Sequence, residues 1–240
     1  MIKIQQLTKR FENTIAVNKL DLTIPKGEFF SILGPNGAGK TTTLKLVAGL
    51  LRPTEGKVFV GEYDIAEKTI HAKKLISFIP DVPFVYEKLT GREFLHFIGE
   101  LYEMNKSRYQ KETEQLLGLF HMTDYGDQLL ESYSHGMKQK VVICSALLHD
   151  PGVILIDEPM VGLDPKSIRL VKDILRERAN QGTTIFMSTH TLDLAEEISD
   201  RIGIIHNGKL VSLGTVDEIK RTAEEGQKLE DVFLKLTAEA

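Results

Sequence analysis

Gly34-Pro35-Asn36-Gly37-Ala38-Gly39-Lys40-Thr41-Thr42 is the stretch that decides the fold. It follows the apolar run at 29–33 and leads into residues 43–50, whose apolar spacing predicts a helix. The pattern G-x-x-x-x-G-K-S/T between a strand and a helix predicts a phosphate-binding loop. Its glycines allow backbone N–H groups to point at a phosphate, and the helix N-terminus adds the positive end of its dipole. An ordinary glycine turn would explain neither the Lys-Thr pair nor the flanking elements.

Three side chains predict a site for a magnesium-bound nucleotide. Lys40 supplies a positive charge for the β- and γ-phosphates, and the Thr41 hydroxyl is a hard oxygen ligand for Mg²⁺. Asp157 ends the apolar run at 153–156, which is typical of a strand buried on both faces. A carboxylate at such a strand end, downstream of a phosphate loop, is expected to hold Mg²⁺ through water.

Glu158 and His190 are the candidates for catalysis. Glu158 follows Asp157 directly but points elsewhere, so its carboxylate can orient and deprotonate a water in line with the γ-phosphate. His190 closes the predicted strand at 184–189, at the sheet edge where ligands of open α/β sheets bind. Its imidazole N–H can hydrogen-bond to the γ-phosphate and to the attacking water. These residues predict hydrolysis, although an ordinary polar strand end is the alternative for Glu158.

Composition limits the class of protein. The 240 residues are 42% hydrophobic, enough for one large domain or a domain with a subdomain. The 30 basic and 34 acidic residues give a net charge of −4, so nucleic acid is not expected as a partner. Cys144 is the only cysteine, which excludes a disulfide within one chain. No run of about 18 apolar residues occurs, so we expect any membrane contact to go through another subunit.

The remaining patterns predict an α/β protein with a helical insertion. Residues 2–7 and 20–24 predict an antiparallel opening layer, with Asn13 and Asn18 as turn signals. From Leu89 to about Leu148 strand signals give way to helical spacing, whose apolar stripes are either core or a surface for a partner. These stripes include Phe94, Ile98, Leu101, Tyr102, Leu116, Leu117 and Phe120.

Further elements complete the predicted core and divide the chain into units. The patterns predict strands at 57–62, 75–79, 153–156 and 184–188, helices at 166–180 and 191–198, and a hairpin at Asn207-Gly208. A charged linker at 221–228 precedes a last helix. The predicted units are a core formed by 1–81 and 151–220, a helical subdomain at 82–150, and a C-terminal helical tail at 221–240.

Four motifs together resemble the ATP-binding subunit of an ABC transporter, and the resemblance covers nearly the whole chain. They are the glycine loop, Asp157-Glu158-Pro159, Gly162-Leu163-Asp164-Pro165 and Ser188-Thr189-His190. The resemblance implies a P-loop NTPase core with a mostly parallel sheet, an antiparallel β layer and a helical subdomain. It also implies ATP and Mg²⁺ as cofactors, and an integral membrane permease subunit and a second ATPase subunit as partners. The chain would then lie in the cytoplasm, peripheral on the inner face of the membrane.

The resemblance assigns roles to three more residues. Phe11 is predicted between two strands, where it could stack on a nucleobase or be an exposed packing residue; the family implies stacking on adenine. Tyr133-Ser134-His135-Gly136-Met137 is identified as the signature loop of the helical subdomain. The Ser134 hydroxyl and the Gly136 N–H would contact the γ-phosphate of an ATP held by the opposite subunit, so that ATP closes a dimer and hydrolysis opens it.

The sequence departs from the family pattern at several positions. Tyr133, His135 and Met137 replace the usual Leu, Gly and Gln. Asp81 replaces a Gln that touches Mg²⁺ and the water; an ionised carboxylate offers an oxygen to Mg²⁺ but donates no hydrogen bond. We therefore expect an active but altered site, or one member of an unequal pair, and leave homodimer and heterodimer open.

Two segments, 134–141 and 229–237, resemble ATPases of bacterial export-type systems. A soluble ABC-type ATPase acting on DNA or ribosomes is the main alternative. Such proteins usually carry long coiled coils or two ATPase halves, and this sequence has neither. A P-loop kinase would leave the signature loop and Gly162-Leu163-Asp164 unexplained.

Overall fold

The computed structural model describes residues 1–221 and 229–238, so the predicted linker falls mostly outside the described residues. In chain order the strands are β1 (Ile2–Phe11), β2 (Thr14–Ile24), β3 (Phe29–Leu33), β4 (Glu55–Val60), β5 (Tyr63–Asp64), β6 (Ile76–Ile79), β7 (Val153–Asp157), β8 (Thr184–Thr189), β9 (Arg201–His206) and β10 (Lys209–Gly214). The α-helices are α1 (Lys40–Val47), α2 (Thr69–Lys74), α3 (Gly91–Leu101), α4 (Lys106–Leu119), α5 (His135–Leu148), α6 (Pro165–Asn180), α7 (Leu192–Ile198), α8 (Val216–Arg221) and α9 (Leu229–Ala238). Short 3₁₀ turns lie at Thr123–Tyr125 and Leu130–Ser132.

A mostly parallel six-stranded sheet carries the predicted nucleotide loop. Its order is β10-β9-β3-β8-β7-β6, and only the edge strand β10 runs antiparallel to its neighbour. Every residue of β3, β7 and β8 is buried, which explains why these strands are continuous apolar runs. Since β8 lies between β3 and β7, the carboxyl ends of the three strands meet at one edge, where ligands of such sheets bind.

The predicted antiparallel layer is a separate sheet of order β2-β1-β4-β5. The turn at Asn13 is confirmed, but the prediction of a turn at Asn18 is wrong, because Asn18 lies inside β2 and donates its backbone N–H to the Gly208 carbonyl at 2.8 Å. Both strands are longer than predicted. Register irregularities near Gln6 and Lys19, which both have positive φ, interrupt the side-chain alternation that sequence patterns detect.

Between β6 and β7 the chain forms helices α3 to α5, turns and an isolated bridge of Thr90 with Leu129. Phe94, Leu116, Leu117 and Phe120 are buried in one cluster with residues of β7 and α6. Leu101, by contrast, is 63% exposed, so the core interpretation of the stripe is wrong for this residue. Helix α5 shares this cluster with the sheet, so packing does not separate a unit at 82–150 from the rest of the core. The predicted unit boundaries at 82 and 150 therefore stay a prediction.

Helix α9 packs on the core through Leu229, its first residue, and the partly buried Phe233. Leu229 is buried together with Ala195 of α7 and Ile219 of α8, a helix that the sequence pattern did not predict. The C-terminal helix therefore contacts the elements that follow β8.

His149 lies where the helical segment meets the sheet. Its ring stacks on Tyr102 with 3.5 Å between ring centroids, and its Nε2 atom lies 3.4 Å from the Ser77 hydroxyl. Burial lowers the pKa of His149 to about 4, against a smaller opposing effect of Asp150. Folding therefore excludes a proton that the unfolded chain accepts below about pH 6.5.

The sign of this effect gives a testable pH dependence. The neutral His149 contributes stability fully above about pH 6.5, and the contribution is lost as the pH falls towards 4. As the pH falls from 7.5 to 5, the free energy of unfolding should fall for both chains, and the fall should be about 2 kcal/mol smaller for His149→Gln than for the wild type. Urea unfolding at the two pH values measures this, with the exposed His71→Gln as control. Equal pH dependence in His149→Gln and wild type would contradict it.

Candidate nucleotide site

The glycine loop joins β3 to α1 with a backbone that requires glycine. Gly37 and Gly39 have φ of +81° and +107°, a region that favours glycine. A Cβ atom on Gly39 would lie 2.3 Å from the Ala16 carbonyl oxygen, and one on Gly34 would lie 2.4 Å from that of Ile205. Gly39 caps α1 without a side-chain hydrogen bond, so the first N–H groups of the helix are left for a ligand.

Lys40 is held inside the loop. Its ammonium donates to the carbonyls of Gly34 at 2.6 Å and Pro35 at 3.1 Å, and the residue is buried. Burial lowers the pKa of Lys40, while Glu158 and Asp157 oppose that shift. A cation held only by carbonyl dipoles, with two carboxylates nearby, is poised to exchange those dipoles for phosphate oxygens.

Asp157 presents the oxygen atoms that a magnesium ion prefers. Its Oδ1 atom accepts hydrogen bonds from the hydroxyls of Thr41, at 3.2 Å, and Ser188. Its Oδ2 atom is buried without a hydrogen-bond partner among the described residues. A buried, unpaired carboxylate oxygen beside a threonine hydroxyl fits a hard cation such as Mg²⁺. The role of Ser188 was not predicted; its direct pairing opposite Asp157 in the β7–β8 ladder explains it.

Glu158 turns away from the direction of β7. Its φ of +49° is unusual for a residue with a side chain, and the backbone there is stabilised by donation of its N–H to the Ser188 carbonyl at 3.2 Å. The carboxylate is held on both oxygens: His190 Nδ1 lies 2.8 Å from Oε1, and the Thr189 hydroxyl donates to Oε2 at 3.4 Å. Because a carboxylate only accepts, the Nδ1–H of His190 donates to it.

The cleft above these groups has a volume of about 240 Å³. Its lining residues are Ala16, Asn36, Gly37, Ala38, Gly39, Lys40, Thr41, Thr42, Asp81, Asp157 and Glu158. The glycine loop, both strand-end carboxylates and Asp81 are thus brought together. Asp81 is exposed and follows β6, and it adds a third carboxylate to a cleft that contains one lysine. This charge balance favours a cation in the cleft beside the phosphates.

Phe11, Ser134, Gly136 and His190 are not among the residues that line this cleft, although His190 contacts the lining residue Glu158. Phe11 is the last residue of β1, not part of the turn, and is 44% exposed with the Lys9 ammonium 4.9 Å from its ring centroid. Ser134 is the N-cap of α5, and its hydroxyl accepts from the Met137 N–H at 3.3 Å. The cleft of one copy therefore contains only part of the predicted set.

The signature loop accommodates Tyr133 in the core. The side chain is buried, and its hydroxyl donates to the Tyr125 carbonyl at 2.6 Å. A Cβ atom on Gly91 would lie 2.5 Å from that hydroxyl oxygen, so the start of α3 must be glycine to make room for it. The tyrosine therefore replaces an apolar residue without leaving a buried unpaired hydroxyl.

These features define a P-loop ATPase. They are a glycine loop around a buried lysine, a strand-end carboxylate beside a threonine, and a second carboxylate hydrogen-bonded to a histidine. The family model described as ABC transporter matches residues 17–161. The chain belongs to this family.

Curated relatives extend the match over most of the chain. The daunorubicin/doxorubicin resistance ATP-binding protein DrrA of Streptomyces peucetius is 37% identical over 91% of this chain and 66% of its own length. The ABC transporter ATP-binding protein NatA of Bacillus subtilis is 33% identical over 98% and 97%. The chain thus spans about two thirds of DrrA but nearly all of NatA.

A solved ATP-binding subunit of an ABC transporter superimposes with a TM-score of 0.94 at 31% identity, covering 98% of this chain and 99% of that one. The ATP-binding cassette MJ0796, solved as a dimer in a post-hydrolysis state bound to ADP and Pi, gives 0.81 at 26% identity, covering 90% and 98%. The ABC ATPase fold is confirmed, and the chain is an ATP-binding ATPase subunit. These relatives favour neither a kinase nor an ATPase acting on DNA or ribosomes.

Proposed function

We propose that this chain hydrolyses ATP between two ATPase subunits and thereby drives export through a separate integral membrane subunit, at the cytoplasmic face of the membrane. The observation that carries this proposal is the cleft that combines Lys40, Asp157 and Glu158 yet lacks Ser134 and Gly136. Export as the direction draws on a relative, the SkfA peptide export ATP-binding protein SkfE of Bacillus subtilis.

Each side chain of the cleft receives a role from its contacts. Lys40 leaves the loop carbonyls to bind the β- and γ-phosphates, which the N–H groups at the start of α1 also bind. The hydroxyl of Thr41 and the carboxylates of Asp157 and Asp81 would hold Mg²⁺, which supplies charge neutralisation at the phosphates. The magnesium ion would thereby offset the negative charge of both the phosphates and the carboxylates that line the cleft.

Glu158 is the proposed general base. Thr189 and His190 hold one carboxylate oxygen each, so the group is oriented before the water arrives. The carboxylate takes the proton of a water that attacks the γ-phosphate in line. The His190 side chain is 61% exposed and contacts Glu158 through Nδ1, so its Nε2 atom is left to hydrogen-bond to the γ-phosphate. This contact would fix the position of the base relative to the phosphate.

A second ATPase subunit completes each site. Ser134 and Gly136 start α5 outside the cleft of their own chain, and in the proposed dimer they contact the γ-phosphate of the opposite subunit. Phe11 packs against adenine from the antiparallel layer. The dimeric MJ0796 cassettes support this arrangement.

The membrane subunit is proposed to bind an aromatic patch, here defined as Val82, Phe84, Tyr86 and Phe97. Phe84 is 72% exposed and contacts Tyr86 edge-on at 5.8 Å, and Tyr86 contacts Phe97 at 5.5 Å. Contiguous exposed aromatic side chains are typical of protein interfaces. The patch follows Asp81 directly in the chain, which connects it to the cleft. Among the described residues no helix is long and apolar enough to cross a membrane.

The test is copurification of an integral membrane protein with tagged chain from detergent-solubilised native membranes. We expect Phe84→Ser to reduce the recovery of the membrane protein at least about tenfold, because an aromatic side chain that becomes buried in an interface carries a large share of the binding energy. The ATPase activity of the isolated chain is expected to stay unchanged. Ile70→Ser is the control, since Ile70 is equally exposed, at 71%, but lies on α2 outside the patch. Recovery of ribosomes or DNA instead would contradict the proposal.

A further inference from the structure

Helix α5 is fastened, within one chain, to the turn that follows Glu158. This turn, here called the catalytic turn, comprises residues 158–164. A Cβ atom on Gly136 would lie 2.7 Å from the Gly162 carbonyl oxygen, and Lys140 Nζ lies 3.4 Å from Asp164 Oδ2. The N-terminal turns of α5 and the catalytic turn therefore form one contact.

Gln139 is the buried polar side chain of this contact. It is 0% exposed, and its Nε2 atom donates to the Pro159 carbonyl at 3.3 Å. Its Oε1 atom is buried without a partner among the described residues. Burying an amide with one unpaired end costs stability, and an apolar side chain of the same size avoids that cost. Stability therefore gives no reason for glutamine here.

The Pro159 carbonyl is a sensitive point of the catalytic turn. Proline has no N–H, so this carbonyl is the only backbone group through which the residue can be held. Glu158, directly before it, has a φ of +49°, and such a conformation persists only where the surroundings hold it. A hydrogen bond to Pro159 holds the chain on the C-terminal side of the unusual residue, while the Ser188 carbonyl holds its N–H and the Thr189 hydroxyl holds its carboxylate.

We propose that Gln139 is a positioning residue for ATP hydrolysis, which holds the Glu158 carboxylate in place through the Pro159 carbonyl. This proposal rests on the proposed role of Glu158. It has a further consequence, because α5 begins at the signature loop. In the proposed dimer, Ser134 at the start of α5 contacts the ATP of the opposite subunit, and Gln139 on the same helix positions the base of its own subunit. A shift of α5 on ATP binding at one site would therefore change the position of the base at the other site.

Gln139→Met tests the proposal, because methionine keeps the length of the side chain and removes both polar ends. We expect kcat to fall about fivefold, the rate equivalent of one neutral hydrogen bond. We expect the KM for ATP to stay unchanged and the melting temperature not to fall. Gln139→Leu is the second variant should the methionine chain fold poorly, with the same expected result.

Thr113→Val is the matched control. Thr113 is likewise 0% exposed in the helical segment, and its hydroxyl is also buried without a partner, but it lies on α4 and not at the catalytic turn. We expect its kcat to equal that of the wild type. An unchanged kcat in both Gln139 variants overturns the proposal, and so does a fall in kcat that accompanies a fall in melting temperature.

ATP-dependent dimer formation distinguishes a failure of this proposal from a failure of the proposed function. In the Glu158→Gln background, Gln139→Met is expected to leave ATP-dependent dimer formation unchanged, since the effect acts on the base. Loss of pairing would move the effect to the signature loop and overturn the proposal for Gln139. Normal turnover of Glu158→Gln alone would instead overturn the role of the base, whatever Gln139 does.

Discussion

Glu158→Gln is expected to bind ATP and to lose about 10³-fold in turnover. Glutamine has the shape of glutamate, and its oxygen can still accept a hydrogen bond from His190 or Thr189. It cannot accept the proton of the attacking water. The change therefore removes the chemistry and leaves the geometry of the cleft in place.

ATP held without hydrolysis should keep the two subunits together. Size-exclusion chromatography with Mg·ATP, with the second ATPase subunit added where that is a different chain, is expected to show the Glu158→Gln chain in a dimer, while the wild type returns to a monomer as ATP is consumed. Phosphate release measures turnover of the same samples. Glu197→Gln is the control, because Glu197 is an exposed carboxylate on α7 that pairs with Lys172. Normal turnover of Glu158→Gln would remove this residue from the role of base.

The core of the site was predictable because it obeys a rule of parallel sheets. Lys40, Asp157 and His190 each follow a buried apolar run, and parallel strands place such positions at one edge. The ladders pair Leu33 with Thr189 and Asp157 with Ser188, which puts the three strand ends side by side. A local pattern was therefore enough to place residues more than 100 positions apart.

Contacts across elements were not predictable in this way. Gln139 lies within an apolar helix, and nothing in the helical period indicates that its amide meets Pro159, twenty positions away. The bulges near Gln6 and Lys19 break the alternation on which strand limits depend. The contact of the Lys9 ammonium with the Phe11 ring likewise depends on side-chain placement that no spacing rule contains.

Lys40→Ala is expected to lose about 100-fold in affinity for ATP, or roughly 2.7 kcal/mol. The lysine is the one basic side chain that lines the cleft among the described residues, where it faces three carboxylates. Without it, the β- and γ-phosphates would meet Asp81, Asp157 and Glu158 with only the backbone N–H groups as donors. Isothermal titration with Mg·ATP measures the change, and Lys45→Ala on the same helix is the control.

Loss of affinity can be distinguished from loss of folding, because burial already disfavours the charged form of Lys40. The lowered pKa of this ammonium means that the folded chain gains little from it without phosphate, although two loop carbonyls lose their donor in the variant. We therefore expect nearly the wild-type melting temperature without nucleotide. Ligand binding stabilises the folded chain by RT ln(1 + [L]/Kd), so at an ATP concentration between the two Kd values Mg·ATP should stabilise the wild type and Lys45→Ala but hardly Lys40→Ala. Equal stabilisation of all three chains would show that Lys40 does not bind the phosphates.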